Sequence, residues 1–309
     1  MSTHLVVGAG PVGSEVARLL AGDGHDVVVL TRHGSGPQAD RIRHVAGNAA
    51  DLQSLLAAAP KAAAIYNCAN PAYHRWAQDW PPIARAMLGY AERSGAVLAI
   101  CSNLYGYGPV DGPMVEDLPL ASTGTKGRVR AQMWLEAKAA HDAGRIRATE
   151  VRGSDYICAS EGSLIGSSRV VTPLLKGKSV SLLGSLDTEH TWTAPADVAR
   201  LLVIVAAQER GWGRAWHVPS NAPRTQRQVV DDLADTAVVP RVKVKSLPPA
   251  MLALLGMFSP TIRELAETSH QRDRRFVLDD SAARAAFGLS PTSWSEILTG
   301  IIQHYRHTP

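Results

Sequence analysis

The first half of the chain alternates short apolar runs with longer stretches whose apolar residues recur every three or four positions. The short runs lack polar alternation, which is typical of strands buried on both faces of a parallel sheet. We predict strands at residues 5–7, 27–31, 42–45, 62–68, 97–101 and 147–151, and helices after residue 11 and at 51–59, 81–94 and 127–143. Strands and helices in this alternation predict an α/β fold with a Rossmann-type, doubly wound parallel sheet.

After about residue 155 the pattern becomes less regular. Short strands are predicted at 180–183, 215–218 and 241–247, and helices at 195–207, 225–237 and 294–305. We therefore predict a Rossmann domain over residues 1–155. Most of residues 156–309 should form a smaller substrate-binding lobe, with some elements returning to the Rossmann core.

The composition of the chain limits the kinds of molecule that we expect it to bind. The 309 residues carry 32 basic and 28 acidic side chains, a net charge of +4 that is scattered along the chain, so no nucleic-acid partner is expected. Cys68, Cys101 and Cys158 have neither disulfide nor metal-site spacing, so we expect a reduced, cytoplasmic compartment and no metal. The apolar runs 201–207 and 251–258 are too short to span a bilayer, so no membrane association is expected.

The clearest local motif is a glycine-rich segment, Gly8-Ala9-Gly10-Pro11-Val12-Gly13, which follows a predicted strand and opens a predicted helix. Glycines at these positions allow a tight turn, close approach of the backbone to a pyrophosphate, and close packing of helix on strand. The helix start then offers N–H groups to the phosphates, with Pro11 and Val12 in its first turn. The alternative is a tight turn in an α/β protein that binds no dinucleotide.

The end of the second predicted strand indicates which dinucleotide is bound. NAD sites place a carboxylate near this point, about 20 residues after the glycines, to accept from the ribose 2′-hydroxyl. Here the strand ends in Thr31 and Arg32, and Arg32 lies 19 residues after Gly13. A guanidinium can bind a 2′-phosphate in a fork, so we predict NADP (NADPH) as the cofactor. The alternative is that Arg32 is a solvated loop residue.

These motifs resemble the extended short-chain dehydrogenase/reductase superfamily, in its NAD-dependent epimerase/dehydratase branch, over nearly the whole chain. Residues 47–51 resemble that family's acidic motif after the third strand, where the first acid contacts adenine. Residues 67–70 resemble its small-residue segment beside the nicotinamide ribose. The resemblance therefore implies that the cofactor is also contacted by Asn48, Ala49, Cys68, Ala69 and Asn70.

The catalytic signature of that family is missing. Its members use a Ser or Thr with a Tyr and a Lys in the spacing YxxxK, which does not occur in residues 120–130. Either Lys126 keeps the Lys role and Ser122 replaces the Tyr, or Lys126 occupies the Tyr position and Arg130 the Lys position. We prefer the second arrangement because Gly127 then follows the catalytic position, as it often does in the family. Arg130 would be a fixed phosphate or ribose clamp, and a desolvated Lys126 could donate a proton near neutrality.

Further residues complete the candidate site. The resemblance places Ser102 and Tyr105 at the end of a central strand, so the catalytic candidates are Lys126, Tyr105, Ser102 and Arg130. The candidates for lining the substrate are Tyr73, His74, Tyr107 and Tyr156, with aromatic packing or an exposed loop as the alternative. Glu264 and Glu267 share a helical face and could form a carboxylate pair, although a solvated face is favoured.

The sequence as a whole favours an NADP-dependent oxidoreductase that acts on a small organic carbonyl, imine or hydroxyl substrate. Two alternatives stay open: an epimerase or dehydratase of a nucleotide sugar, and a non-catalytic NADP-binding sensor. The family resemblance also implies a homodimer, formed through the helices at 81–94 and 127–143.

Overall fold

The strands of the first half pair in parallel, as the alternation of strands and helices along the sequence predicts. The computed structural model describes residues 1–247 and 267–307, and among these a seven-stranded sheet has the order β10-β6-β5-β4-β1-β2-β3. Its strands are β1 (Thr3–Val7), β2 (Asp26–Thr31), β3 (Ile42–Ala46), β4 (Ala64–Asn67), β5 (Val97–Asn103), β6 (Arg147–Gly153) and β10 (Ala215–His217). β1 lies between β2 and β4, parallel to both. This sheet confirms the predicted Rossmann-type α/β fold.

The chain forms two compact units. Unit 1 comprises Met1–Gly108, Pro119–Arg152 and Val198–Val218, and it holds the seven-stranded sheet. Unit 2 comprises Pro109–Leu118, Gly153–Asp197 and the described part of Pro219–Pro309. The predicted apolar run 251–258 and Glu264 lie outside the described residues.

Helices α1 (Pro11–Gly22), α2 (Leu52–Ala58), α3 (Trp76–Ser94) and α4 (Thr125–Asp142) connect the strands of unit 1. Two 3-10 helices, Tyr73–Arg75 and Tyr105–Tyr107, follow the carboxyl ends of β4 and β5. One core cluster is formed by strand residues such as Leu5, Ile65 and Leu98 with helix residues such as Met87 and Trp134. Burial of this apolar surface is the main favourable term in the stability of the unit.

The start of α3 differs from the sequence prediction. The prolines at 81 and 82 predicted a helix start, but the helix begins five residues earlier, at Trp76. Trp76 and Trp80 are one turn apart and both buried, at 5% and 1% exposure, and Arg75 donates twice to Asp79 across the first turn. This packing and the ion pair hold a helical turn in front of two residues that cannot donate backbone hydrogen bonds.

Unit 2 contains shorter elements around its own apolar cluster. Its strands are β7 (Asp155–Tyr156), β8 (Val180–Leu182), β9 (Trp192–Thr193) and β11 (Val244–Ser246), paired in parallel as β7 with β9 and β8 with β11. Its helices include α5 (Ser168–Leu175), α7 (Gln226–Ala237), α8 (His270–Asp273), α9 (Ser281–Phe287) and α10 (Trp294–His307), while α6 (Pro195–Ala207) runs from unit 2 into unit 1. A capping box between Thr225 and Gln228 starts α7. Across the described residues, no helix combines the length and apolar character that crossing a membrane would require.

Candidate cofactor and active site

Two of the three glycines in the loop after β1 are required by the packing of the protein itself. Gly8 has a φ of +98°, and a Cβ atom there would lie 2.5 Å from the carbonyl oxygen of Cys68. A Cβ atom on Gly13 would overlap the carbonyl oxygen of Gly8. These glycines therefore let the loop close tightly between the ends of β1 and β4.

Gly10 is different, because no atom beyond its two chain neighbours lies within 4 Å of the position that its Cβ would occupy. Its φ of −71° suits any residue, so neither packing nor backbone conformation requires glycine there. Gly10 is the N-cap of α1, with no side-chain cap and no acidic residue in the first helical turn. The positive end of the helix dipole thus faces an open space that a side chain would fill.

The turn after β2 presents a cation at the surface. The Thr31 hydroxyl accepts from the backbone N–H of Ser35 at 2.8 Å and donates to its carbonyl oxygen at 3.0 Å, which closes the turn around an exposed Arg32. The pKa of Asp79 lies below its usual value, mainly because Arg75 donates to it, with smaller contributions from the charges of His74 and Arg32. Arg32 is therefore within electrostatic reach of the pair formed by Arg75 and Asp79.

The other residues predicted at the cofactor lie at the ends of β3 and β4. The carboxamide oxygen of Asn48, an exposed residue, accepts from the N–H of Ala50 at 3.0 Å, with Ala49 between them. The Cys68 carbonyl and the Ala69 N–H form the surface against which Gly8 packs, and Asn70 is exposed beyond them. Burial raises the pKa of the Cys68 thiol well above its usual value, so this cysteine is an inert lining group.

The start of α4 is pressed against the segment that follows β5. A Cβ atom on Gly127 would overlap the Ser122 side chain and lie 2.5 Å from the carbonyl oxygen of Tyr105. Lys126 precedes this glycine and is only 1% exposed. Its Nζ atom lies 4.6 Å from the ring centroid of Tyr73, within cation–π distance.

Arg130, one turn later on α4, makes several contacts inside unit 1. Its Nη2 atom donates to the carbonyl oxygen of Cys101 at 2.6 Å. Its guanidinium lies 4.8 Å from the ring of Trp80 and 5.7 Å from that of Trp76. Sequence reasoning missed the two tryptophans, although their spacing of four residues was the available signal. The contacts of Arg130 join α4 to both β5 and α3.

The structure brings four of the sequence candidates into one cluster. Tyr105 is half-buried, and its ring stacks on Trp76 at 5.7 Å and lies 6.5 Å from the ring of Tyr73. Together with Lys126 and Arg130, these two tyrosines form a group of aromatic rings and cations at the carboxyl ends of β4 and β5. The nearby Ser102, on β5, is 3% exposed. His74 is exposed next to Tyr73.

The hydroxyl of Tyr107 lies in a buried polar network. It accepts from Arg152 Nη1 at 2.6 Å and is 2.8 Å from His217 Nε2, while Arg152 Nε donates to Glu150 at 2.6 Å. Burial alone would lower the pKa of Arg152, but Glu150 and Tyr107 together hold it above its usual value. Sequence reasoning missed this network. Its signal was the pair of charged residues Glu150 and Arg152 on either side of Val151 at the end of a predicted strand.

Tyr156 belongs to unit 2, where it is half-buried on β7 and its carbonyl oxygen accepts from Ser163 at 2.8 Å. The adjacent carboxylate of Asp155 lies 3.2 Å from Nε2 of the buried His190. Burial would raise the pKa of Asp155, but the hydrogen bond and charge of His190 bring it below its usual value. Across the described part of the chain, no three His, Cys, Asp or Glu side chains gather as a metal site would require.

Comparison with known proteins identifies the family of this chain. The model of the NAD dependent epimerase/dehydratase family matches residues 4–218. The chain belongs to this family, as the motifs at the glycine loop and at the ends of β3, β4 and β5 predicted. A comparison with curated proteins finds no match.

Solved structures share the fold over nearly the whole chain. A dTDP-glucose 4,6-dehydratase from Streptomyces venezuelae, solved with bound NAD, is 21% identical with a TM-score of 0.78, covering 98% of this chain and 97% of its own. An epimerase from Methanothermobacter thermautotrophicus is 16% identical with a TM-score of 0.81, covering 99% and 92%. A UDP-glucuronic acid 4-epimerase from Bacillus cereus in complex with NAD is 16% identical with a TM-score of 0.77, covering 98% and 99%.

Proposed function

We propose that the chain is an enzyme that binds a nicotinamide dinucleotide at the glycine loop and acts on a nucleotide sugar, as an epimerase or dehydratase. Family membership supports the type of cofactor and reaction. The observation that carries the proposal is the open space at Gly10, because the protein has no need of its own for a glycine there. A pyrophosphate bound at the start of α1 would explain the glycine, because a side chain at position 10 would occupy the same space.

The residues present fit such a cofactor. Gly8 and Gly13 shape the loop, and the N–H groups of Val12 and Gly13 lie in the first turn of α1, where an anion is stabilised. The end of β4, at Ala69 and Asn70, would border the cofactor beside this loop. When bound, the nicotinamide ring supplies or accepts the hydride.

The proton that accompanies the hydride is assigned to the cluster at the start of α4. Oxidation of a sugar hydroxyl requires a group that takes its proton, and reduction of the resulting ketone requires the proton back. We assign this exchange to Lys126, in the arrangement that places it at the position of the family's Tyr. Tyr73 covers its ammonium group, and Tyr105 and Ser102 would orient the substrate oxygen. Arg130 positions α4 through its bond to Cys101.

A second candidate function is an NADP-dependent reductase of a small carbonyl or imine substrate. The observation that favours it is the absence of a carboxylate at the end of β2, where Arg32 is exposed instead. Arg75, in the same neighbourhood, is paired with Asp79, so Arg32 is the cation that carries this candidate. A 2′-phosphate would be attracted to Arg32, whereas a bare ribose hydroxyl would find no carboxylate at the end of β2 as a hydrogen-bond acceptor.

Titration of the purified protein with NAD⁺, NADH, NADP⁺ and NADPH separates the two candidates. Wild type is compared with Arg32→Ala and with Arg93→Ala, which removes an exposed arginine on α3 as a matched control. Binding of NAD(H) that is insensitive to Arg32→Ala supports the epimerase or dehydratase. Tighter binding of NADP(H), with a preference that Arg32→Ala erases, supports the reductase. If no dinucleotide binds, both are abandoned.

Turnover then tests the reaction itself. UDP-glucose and dTDP-glucose are incubated with the NAD-loaded protein, and NMR follows epimer formation or loss of water. In parallel, the oxidation of NADPH is followed with a panel of aldehydes and ketones. Product in the first assay alone supports the main proposal, and NADPH oxidation alone supports the second. Lys126→Met should abolish whichever activity is found, because it removes the proton-transfer group at nearly constant volume.

A further inference from the structure

The network around Tyr107 joins three segments that are far apart in the sequence. Tyr107 follows β5, Arg152 ends the part of β6 that belongs to unit 1, and His217 ends β10. Arg152 and His217 are paired neighbours in the parallel register of β6 and β10. The Tyr107 hydroxyl lies between them, at 2.6 Å from Arg152 Nη1 and 2.8 Å from His217 Nε2.

Each of these three residues stands beside a point where the chain leaves unit 1. Unit 1 ends at Gly108, immediately after Tyr107, at Arg152 itself, and at Val218, immediately after His217. The backbone joins two of these exits, because the Val218 N–H donates to the carbonyl oxygen of Arg152 at 3.1 Å. The contacts of the Tyr107 hydroxyl with Arg152 and His217 connect the third exit, at Gly108, to these two.

The Tyr107 hydroxyl accepts from Arg152 Nη1 and lies within hydrogen-bond distance of His217 Nε2, so it links the two side chains. Glu150 balances the charge of Arg152 at 2.6 Å. All four side chains are at most 3% exposed, so water does not replace a lost partner and each bond is costly to break.

We propose that Tyr107, Arg152 and His217 form a single anchor. The anchor couples local unfolding of the backbone at the three points where the chain leaves unit 1. The exits are the points at which the chain passes from unit 1 to unit 2, and the anchor itself lies wholly in unit 1. The three are positioning residues, and the anchor operates whatever reaction the enzyme performs.

Hydrogen–deuterium exchange with mass spectrometry tests this coupling on the full chain. Tyr107→Phe removes only the hydroxyl that links the other two residues. We expect exchange to rise together, by about tenfold, in peptides that cover residues 106–110, 151–155 and 216–220. Dinucleotide affinity should not change, because the glycine loop lies elsewhere in unit 1.

Tyr90→Phe is the matched control. Tyr90 is also buried in unit 1, and its hydroxyl donates to the carbonyl oxygen of Ala59 at 2.6 Å, away from the exits. This variant loses a comparable hydrogen bond, so a general loss of stability would raise exchange at the exits in both variants. Faster exchange at the three exits in Tyr107→Phe alone supports the anchor.

A second variant covers the case in which Tyr107→Phe does not fold. His217→Gln removes the imidazole ring that contacts the Tyr107 hydroxyl and retains the bond between Arg152 and Tyr107. Coupled acceleration at all three exits supports the proposal. Acceleration confined to the exit beside the substituted residue, equal acceleration in Tyr90→Phe, or no acceleration at all overturns it.

Discussion

The Arg130 guanidinium donates to the carbonyl oxygen of Cys101 at 2.6 Å, and this bond joins helix α4 to the central strand β5. The same guanidinium lies over two tryptophan rings of α3. In the arrangement that we prefer for the sequence, Arg130 takes the position of the lysine in the family's signature. In the structure, it joins three elements at the carboxyl edge of the sheet.

Arg130→Lys should therefore reduce stability although it keeps the charge. A lysine ammonium cannot both stack on the Trp80 ring as a planar group and donate to the Cys101 carbonyl. We expect the free energy of unfolding to fall by about 1–3 kcal/mol in urea titrations. Arg85→Lys, at an exposed site on α3, should change it by less than about 0.5 kcal/mol. Equal effects of the two substitutions would contradict the role given to Arg130.

Alanine substitutions at the glycine loop should separate packing from cofactor binding. Gly13→Ala places a methyl group onto the Gly8 carbonyl, so we expect a loss of about 3 kcal/mol or more in unfolding free energy. Gly10→Ala meets no protein atom, so its stability should match wild type.

Dinucleotide affinity of Gly10→Ala should nevertheless fall at least about tenfold, which is ~1.4 kcal/mol. The methyl group would occupy the space that we assign to the pyrophosphate. Wild-type affinity in calorimetric titrations of this variant would remove the main argument for the cofactor site.

His4 should make stability fall in mild acid. Burial, and then the charge of the neighbouring His25, lower the pKa of His4 from 6.5 to about 4. Between about pH 6.5 and 4, His4 therefore binds a proton in the unfolded chain but not in the folded chain. The free energy of unfolding decreases as the pH falls through this window. We expect a loss of about 2 kcal/mol from this group.

Comparison of His4→Gln with wild type, by urea unfolding at several pH values, isolates this contribution. The variant should lose less stability between pH 6.5 and 4 than wild type does. His33→Gln, at an exposed position, should follow the wild-type curve. An identical pH dependence in His4→Gln and wild type would exclude His4 as the source.

Val238 offers a stabilising substitution. It ends α7 with a φ of +53° and is 90% exposed, which is an unfavourable conformation for a β-branched residue. Val238→Gly should raise the unfolding free energy by about 1 kcal/mol, because glycine adopts this cap without strain. Val238→Ala keeps the Cβ and should gain much less. Thermal unfolding of the three proteins compares them directly.

The positions of several elements could be predicted from local pattern alone. The strands of unit 1 and α2, α4 and α6 follow the predicted periods closely, because burial on two faces or on one stripe repeats within a few residues. The start of α3 could not be predicted in this way. It depends on the burial of Trp76 and Trp80, which outweighs the local signal of two prolines.

The sequence by itself determined the parallel α/β fold, the glycine loop and the absence of the family's YxxxK spacing, since each depends on residues that are close together in the chain. Only the tertiary structure decided which distant side chains meet: Tyr73 with Lys126, Arg130 with Cys101, and Tyr107 with Arg152 and His217. It also placed β10 beside β6 in the sheet of unit 1. Such contacts depend on strand order and register, which are set by packing of the whole sheet and have no counterpart in the local period of the sequence.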